Sequence, residues 1–430
     1  MEVELRVKEN GASKPTEQKI PEWLDEDFLQ LCMQSGEGDP TIRVINHTVV
    51  VVRPSSDLHS SAIYRVSVEF KRRPRSRNIL DFKPQETRWL LIKTLNTESE
   101  EPSHTEDLQK SKIFDKEITA LSTTLPAITK ALGFFTLNAQ CFYSERSPRA
   151  LVVLNDLAKH DFIPGKMRRL RGLDFNHCML VMQSMAALHA GSIAVYEKDK
   201  SSMDAFERNV WSEEDNTLVK EFVDRTVSYI ADEVTTWPNF GSKYADKIRA
   251  LKDNLLQRVN AAVSKDKSIF NVLNHGDCWY NNILFRYSTT TDRVEEVSFV
   301  DFQSSIFASP VIDLQHFLYS TPTDEVRLQN FNRLIQHYHR ELTSILAKLK
   351  VQTKSPTMEE LLEEMDKHSA YGVLVAFTLL PITLGEGSIT SAILRNSTAP
   401  SEIRSMLSDE QFRATFRRLI THFDSKGYLD

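Results

Sequence analysis

Cysteine is scarce in this chain. There are four in 430 residues, Cys32, Cys141, Cys178 and Cys278, with no Cys-x-x-Cys among them. That argues against a disulfide framework and against a zinc site, and it fits reduced thiols in a cytosolic setting. His275 and Cys278 are spaced like a ligand pair, but no second pair completes a site. Excess positive charge is also lacking. The net charge is −6 with a pI near 6.1, whereas a nucleic-acid partner calls for a basic surface. No apolar run reaches the roughly eighteen residues needed to cross a bilayer. The longest candidate, Tyr371–Leu384, reads as a buried helix ending near Pro381. The first nineteen residues, MEVELRVKENGASKPTEQK, have no apolar signal-peptide core. No internal repeat is visible. The expectation is a soluble, cytoplasmic, monomeric protein with no nucleic-acid partner and no membrane insertion.

Ordinary globular material is present, with 41% hydrophobic and 26% charged residues. That suits one large two-lobed unit or two domains. Residues 1–19 read as disordered. A short helix is expected over Glu22–Gln34, after Pro21. Strands are expected at Thr41–Val52, Ala62–Phe70 and Arg88–Leu95, where β-branched or alternating apolar residues prevail. KRRPRSR (Lys71–Arg77) reads as a solvated hairpin connection and NTESEEPSHTEDLQ as an acidic loop. A helix over Ser111–Thr124 and strands over Phe134–Tyr143 and Ala150–Leu154 complete a β-rich first part.

Beyond Asn155 the pattern turns helical. Asp174 caps a helix to about His189, and further helices fall within 212–264 and at about 311–320, 324–349, 358–380 and 409–423. The expected fold is therefore α+β and bilobal. Residues 20–155 form a β-rich, nucleotide-binding N-lobe, and 156–430 a mostly helical C-lobe with the catalytic loop, metal and acceptor site.

The chemistry is concentrated in NHGDCWYNNILF (Asn274–Phe285) and FVDFQ (Phe299–Gln303). Asp277 is followed five residues later by Asn282, and Asp301 ends a later apolar run. Phosphoryl transfer uses this set: one carboxylate orients the attacking hydroxyl and accepts its proton, while an Asn oxygen and a second carboxylate hold Mg2+ against the triphosphate of ATP. Asp277 is then the catalytic base, and Asn282 and Asp301 the metal ligands. A β-hairpin carrying ordinary turn acids is the bland alternative, but it leaves the combined spacing unexplained.

Such a site also needs a cation for the phosphates. Lys93 lies on an apolar strand, where its ammonium is costly to bury alone. Glu117, on the next helix, is its natural partner. A snorkelling Lys and a surface Glu are the competing reading. The loop over the phosphates would be PSSDLHSS (Pro54–Ser61), which has no glycine. Its serines, Ser60 and Ser61 at its end, and its backbone N–H groups are the candidate phosphate contacts. Asn155, Asp156 and Leu157, at the joint between lobes, are placed to offer backbone groups to the adenine edge. Asp313 and His275 read as structural braces of the loop, Cys278 as a loop filler and His189 as a satisfied core histidine.

The sequence resembles the ecdysteroid kinase-like family, also called the CHK-kinase-like group, whose relatives are choline kinases and aminoglycoside phosphotransferases. The resemblance runs from IPEWLDEDFLQ through SAIYRV, LLIKTL, IFDKEITAL, LVVLNDL and ALHAGS to NHGDCWYNNILF, VDFQSS and SPVIDLQHFLYS. It implies a protein-kinase-like fold and ATP-dependent phosphorylation of a small-molecule hydroxyl. Carried over by position, the family's catalytic Asp falls on Asp277, its metal ligands on Asn282 and Asp301, and its nucleotide-binding Lys and Glu on Lys93 and Glu117. The chain departs from the family at Ser56 and Leu58, where a Gly and an Asn are usual, and at Asn155, where a Glu is usual. Neither departure removes a metal or base group. The expected substrate is a largely apolar alcohol such as an ecdysteroid, another steroid or a xenobiotic. The alternatives are a choline- or aminoglycoside-type kinase and a pseudokinase that binds without turnover.

Overall fold

Asp25 starts the first helix. Its carboxylate accepts the Phe28 N–H at 2.9 Å, so α1 spans Glu26–Glu37 rather than beginning after Pro21. Phe28, Leu29, Cys32 and Met33 recur along one buried face, and Gly38, at φ 60°, closes the helix in the left-handed region. The computed structural model describes residues 20–53, 61–73, 85–95, 104–133, 135–165, 172–208, 211, 217–384 and 409–430.

Strands β1 (Arg43–Arg53), β2 (Ser61–Lys71) and β3 (Glu86–Leu95) follow, each close to its expected position. Helix α2 (His104–Thr119) continues through a wide turn at Ala120–Thr124 into α3 (Leu125–Leu132). The strand expected over Phe134–Tyr143 is only β4, Cys141–Glu145. The residues before it run across to the second lobe instead. Phe299 donates its N–H to the Leu137 carbonyl at 2.8 Å, and Asn138 forms a lone bridge with Phe299. β5 (Leu151–Asn155) ends the sheet, which is antiparallel in the order β1-β2-β3-β5-β4.

Register decides where the cation goes. Lys93 pairs with Ile63 on β2 and Val152 on β5, in the middle of the sheet. Leu90 and Ile92 face the core shared with α1. The period of two along a strand then turns Lys93 to the other face, toward α2.

The second lobe opens with the short β6 (Ile163–Pro164) and α4 (Phe175–Lys198). Asp174 caps α4 by accepting the His177 N–H at 3.0 Å. The helix extends nine residues past His189 because its buried stripe continues through Ile193 and Ala194. α4 is long and apolar enough to cross a membrane by length and composition, with 78% of its apolar window buried inside the protein. Its apolar residues are interrupted by polar ones, so no continuous run marks it in the sequence.

Helices α5 (Thr217–Thr235), α6 (Gly241–Ala250) and α7 (Leu255–Ala262) lead to β7 (Val272–Asn274), β8 (Ile283–Tyr287), β9 (Val294–Phe299) and β10 (Ile306–Ala308). Then come α8 (Val311–Ser320), α9 (Asp324–Leu349), α10 (Met358–Lys367), α11 (Ser369–Thr378), α12 (Leu380–Leu384) and α13 (Glu410–Ser425). The single helix expected over 358–380 is broken at His368 and Leu379. The second break has a plain cause. Pro381 has no N–H and its ring would collide with the carbonyl four residues back, so it sits in the first turn of a new helix.

Among the described residues, the buried apolar side chains fall into three groups. One lies between α1 and the sheet. One centres on α4, with α2, α3 and α9 around it and the β7–β9 strands against it. One joins α5–α7 to α11 and α13. The site lies on the first lobe's inner face and the strands of the second group.

Candidate active site

The loop after β7 is held from below by one carboxylate. β7 pairs antiparallel with β10, and the Asn274 amide donates to the Ala308 and Ile306 carbonyls at 3.1 and 3.3 Å. Asp313, in the first turn of α8, is fully buried. It accepts the His275 N–H at 2.7 Å and the Gly276 N–H at 2.8 Å. His189 Nε2 lies 3.1 Å from the same carboxylate, and its Nδ1 is 2.7 Å from the Tyr338 hydroxyl. Burial would raise the Asp313 carboxyl, but the His189 and backbone hydrogen bonds outweigh it and hold it below the usual range. Asp313 and His189 are the brace and the satisfied core histidine expected from sequence.

Gly276 is needed where it stands. Its φ is +79°, and a Cβ there would come within 2.1 Å of the Ser304 carbonyl oxygen. The turn it makes brings Asp277 toward the opening, with its side chain 26% exposed.

His275 joins the two acids. Its Nδ1 accepts the Asp277 N–H at 3.3 Å, and its Nε2 lies 3.0 Å from the Val300 carbonyl, one residue before Asp301. One ring nitrogen accepts and the other donates, which requires a neutral imidazole. Burial supplies it by lowering the His275 pKa against the pull of Asp313 and Asp277.

Asn282 ends a short turn at Tyr280–Asn282. Its amide N–H group donates to Asp277 Oδ2 at 2.8 Å and to the Asp277 carbonyl at 3.0 Å. Its backbone carbonyl accepts the Val300 N–H at 3.0 Å. With Nδ2 so engaged, the side-chain oxygen is the atom offered to a cation.

Across the cleft, Lys93 Nζ lies 2.7 and 2.8 Å from the two Glu117 carboxylate oxygens and 2.9 Å from Asp301 Oδ1. Asp301 adopts the left-handed conformation at φ 68°, which a non-glycine residue enters only at a cost. Burial pulls the Lys93 pKa down, but Glu117 and Asp301 outweigh it and keep the ammonium charged. Burial pushes the Glu117 carboxyl up against the pull of Lys93. The ion pair, rather than a snorkelling Lys and a surface Glu, is what forms.

The joint differs in part from its expected use. The Asn155 and Asp156 N–H groups are bonded to the Gln140 and Trp89 carbonyls, at 2.9 and 3.0 Å. The Asp156 carboxylate accepts the Ala158 N–H and pairs with Arg65 at 2.5 Å. Of the backbone groups at Asn155–Leu157 expected to face adenine, the N–H groups of Asn155 and Asp156 are thus engaged within the protein. Ser61 is the buried first residue of β2, opposite Leu95. Ser60 and the rest of the phosphate loop lie outside the described residues. The Cys278 thiol is buried and pushed well above its ordinary range, as a loop filler would be.

Reading the sequence missed His316, whose Nε2 lies 3.3 Å from Asp277 Oδ1, and Tyr371, whose hydroxyl reaches the Gly276 carbonyl at 3.5 Å. His316 follows Asp313 by three residues on α8, and that same-face spacing was its one available signal.

Among the described residues, no three His, Cys, Asp or Glu side chains gather for a metal. Asn282 and Asp301 would supply two hard oxygen ligands, a set that fits a Mg2+ completed by nucleotide phosphates and water rather than by a protein cage. Lys93 beside Asp301 fits the same occupant, since a phosphate-binding cation belongs near the metal.

Acid should loosen this architecture. Burial lowers the pKa of His275, His337, His368 and His422. Below about pH 6.5 the unfolded chain then binds more protons than the folded one, so stability falls as pH falls. Glu117, with its raised carboxyl, runs the other way, one group against four. The melting temperature should be lower at pH 5.5 than at pH 7.5 by calorimetry. An equal or higher value at pH 5.5 would contradict this.

Comparison with known proteins places the chain. The model of the ecdysteroid kinase-like family matches residues 55–351, well over half of the sequence. No curated protein matches. Among solved structures, a glucosamine kinase (crystal form B) is 13% identical over 96% of this chain and 97% of its own, with a TM-score of 0.26, too loose an overlay to bear on the site. Lys93, Glu117, Asp277, Asn282 and Asp301 all fall within the matched span, and the chain belongs to the ecdysteroid kinase-like family, a family of small-molecule kinases.

Proposed function

We propose that this chain transfers a phosphoryl group from ATP, with Mg2+, to a hydroxyl of a small, largely apolar molecule, an ecdysteroid or a similar steroid or xenobiotic alcohol. The observation that carries the proposal is Lys93. It meets Glu117 and Asp301, the latter 208 positions away in sequence, within 2.9 Å. A structural ion pair has no need of the second carboxylate, whereas a phosphate site beside a metal site does.

In this reading Asp277 orients the acceptor hydroxyl and takes its proton as the new bond forms. Asn282 holds the carboxylate by one oxygen. Lys93 places its positive charge against the phosphates, and Glu117 keeps that ammonium extended across the cleft. The Leu157 N–H meets the adenine edge. ATP·Mg2+ supplies the phosphoryl group and the charge neutralisation it needs, with Asn282 and Asp301 as the metal's protein ligands. In the structure Asp301 is paired with Lys93, so Asp301 would exchange that contact for the metal when ATP·Mg2+ is held. The four free thiols suit a reducing, cytoplasmic setting, which is part of the proposal.

The test incubates the purified protein with ATP·Mg2+ and a panel of ecdysteroids, other hydroxylated steroids, plant alcohols, choline and aminoglycosides, read by mass spectrometry. A phosphorylated apolar alcohol is the expected product. Phosphorylation of choline or aminoglycosides alone would transfer the proposal to a cationic acceptor. A nucleotide-induced thermal shift with no product from any acceptor would point to a binding module. Neither product nor shift would overturn the kinase reading.

A further inference from the structure

α8 presents two side chains to the catalytic loop. Asp313 holds the backbone of His275 and Gly276. Three residues on, on the same helix face, His316 reaches the next residue, its Nε2 3.3 Å from Asp277 Oδ1. The ring is almost wholly buried and lies 6.2 Å from the Tyr371 ring. Its other nitrogen, Nδ1, is buried and has no hydrogen-bond partner.

That asymmetry selects a tautomer. A bare Nε2 would face a carboxylate oxygen lone pair to lone pair. A doubly protonated ring would bury an Nδ1–H with no acceptor. The neutral ring with its proton on Nε2 avoids both. Asp277 then has each oxygen facing a donor, Oδ2 toward Asn282 Nδ2 at 2.8 Å and Oδ1 toward His316. At 3.3 Å the second contact is long and not aligned as a hydrogen bond in this structure, as catalytic contacts often are before substrate tightens them.

We propose that His316 is a positioning residue for phosphoryl transfer, its Nε2–H fixing the Asp277 carboxylate in the one orientation that meets the acceptor hydroxyl. The proposal rests on the reading of Asp277 as the base. The hydroxyl proton passes to Asp277, and His316 keeps its own proton throughout. A neutral donor orients the base without the loss of basicity that a neighbouring cation would impose.

Two measurements test it. Nitrogen NMR of histidine-labelled protein, with the His316 signal assigned by its absence from His316→Gln, should show Nε2 protonated and Nδ1 bare. The opposite tautomer overturns the proposal. In kinetics with the acceptor found above, His316→Leu should lower kcat by about 10- to 100-fold, the scale on which a misplaced reacting group acts, and leave KM for ATP nearly unchanged. His316→Gln, whose amide nitrogen reaches the same atom, should recover most of the rate. A Leu variant with wild-type kcat, a Gln variant as impaired as Leu, or a change confined to KM overturns it. A wild type that transfers no phosphoryl group overturns the reading beneath it, and the tautomer signal tells that failure from a failure of His316.

Discussion

Asp277→Asn should remove most turnover while nucleotide binding survives. The substitution keeps the shape of the side chain and an oxygen for the Asn282 amide, which now donates at 2.8 Å. What it removes is the ability to take a proton from the acceptor hydroxyl. General-base assistance of this kind is worth about 10²- to 10⁴-fold in rate, so kcat should fall by that much. Of the groups proposed to bind ATP·Mg2+, Lys93, Glu117 and Asp301 are untouched, with Lys93 meeting both carboxylates across the cleft, and Asn282 keeps an oxygen to donate to. Calorimetric titration with ATP·Mg2+ should therefore give an affinity close to wild type. Turnover at the wild-type rate would remove Asp277 from the base's role. Loss of nucleotide binding along with turnover would mean that the residue serves the metal instead.

Asp313→Ala should cost the protein both stability and activity, from a position with no exposed surface. The carboxylate satisfies two backbone N–H groups of the catalytic loop and the Nε2 of His189. Alanine leaves those donors buried and unmet, and removing one member of a buried charged network costs about 3–5 kcal/mol. The urea midpoint should drop accordingly. Activity should fall with it, since His275 and Gly276 would no longer present Asp277. An inactive variant with an unchanged midpoint would place Asp313 in the chemistry rather than beneath it. A variant unchanged in both respects would end the bracing argument. The two substitutions thus separate a residue that acts on the substrate from one that acts on the loop.

The central residues of the proposed site were legible because phosphoryl transfer demands particular groups at short spacings. Asp277 and Asn282 sit five apart on one loop that leads into β8, and Asp301 follows two residues after β9, the strand paired with β8, so local geometry already ties them together. Lys93 was legible for a different reason. An ammonium in a run as apolar as LLIKTL needs an anion, and Glu117 on the following helix was within reach. The joint was harder to read. Which backbone N–H groups remain free at Asn155–Leu157 depends on what β3 and the approach to β4 take, and those partners are Trp89 and Gln140. The extra length of α4 was hidden because a buried helix can carry polar residues that its neighbours satisfy, as His189 is satisfied by Asp313 and Tyr338.

By itself the sequence determined the two-lobed α+β order, the family, and the five residues the proposed chemistry uses, because strand and helix periodicities and short motif spacings are local properties of the chain. Tertiary structure alone decided that Lys93 faces Asp301 as well as Glu117, that Asp313 carries the loop that carries Asp277, and that His316 and Tyr371 stand behind it. These are contacts between residues tens to hundreds of positions apart. They are set by strand register, by the turn that only a glycine at position 276 can make, and by which face of α8 packs against the catalytic loop.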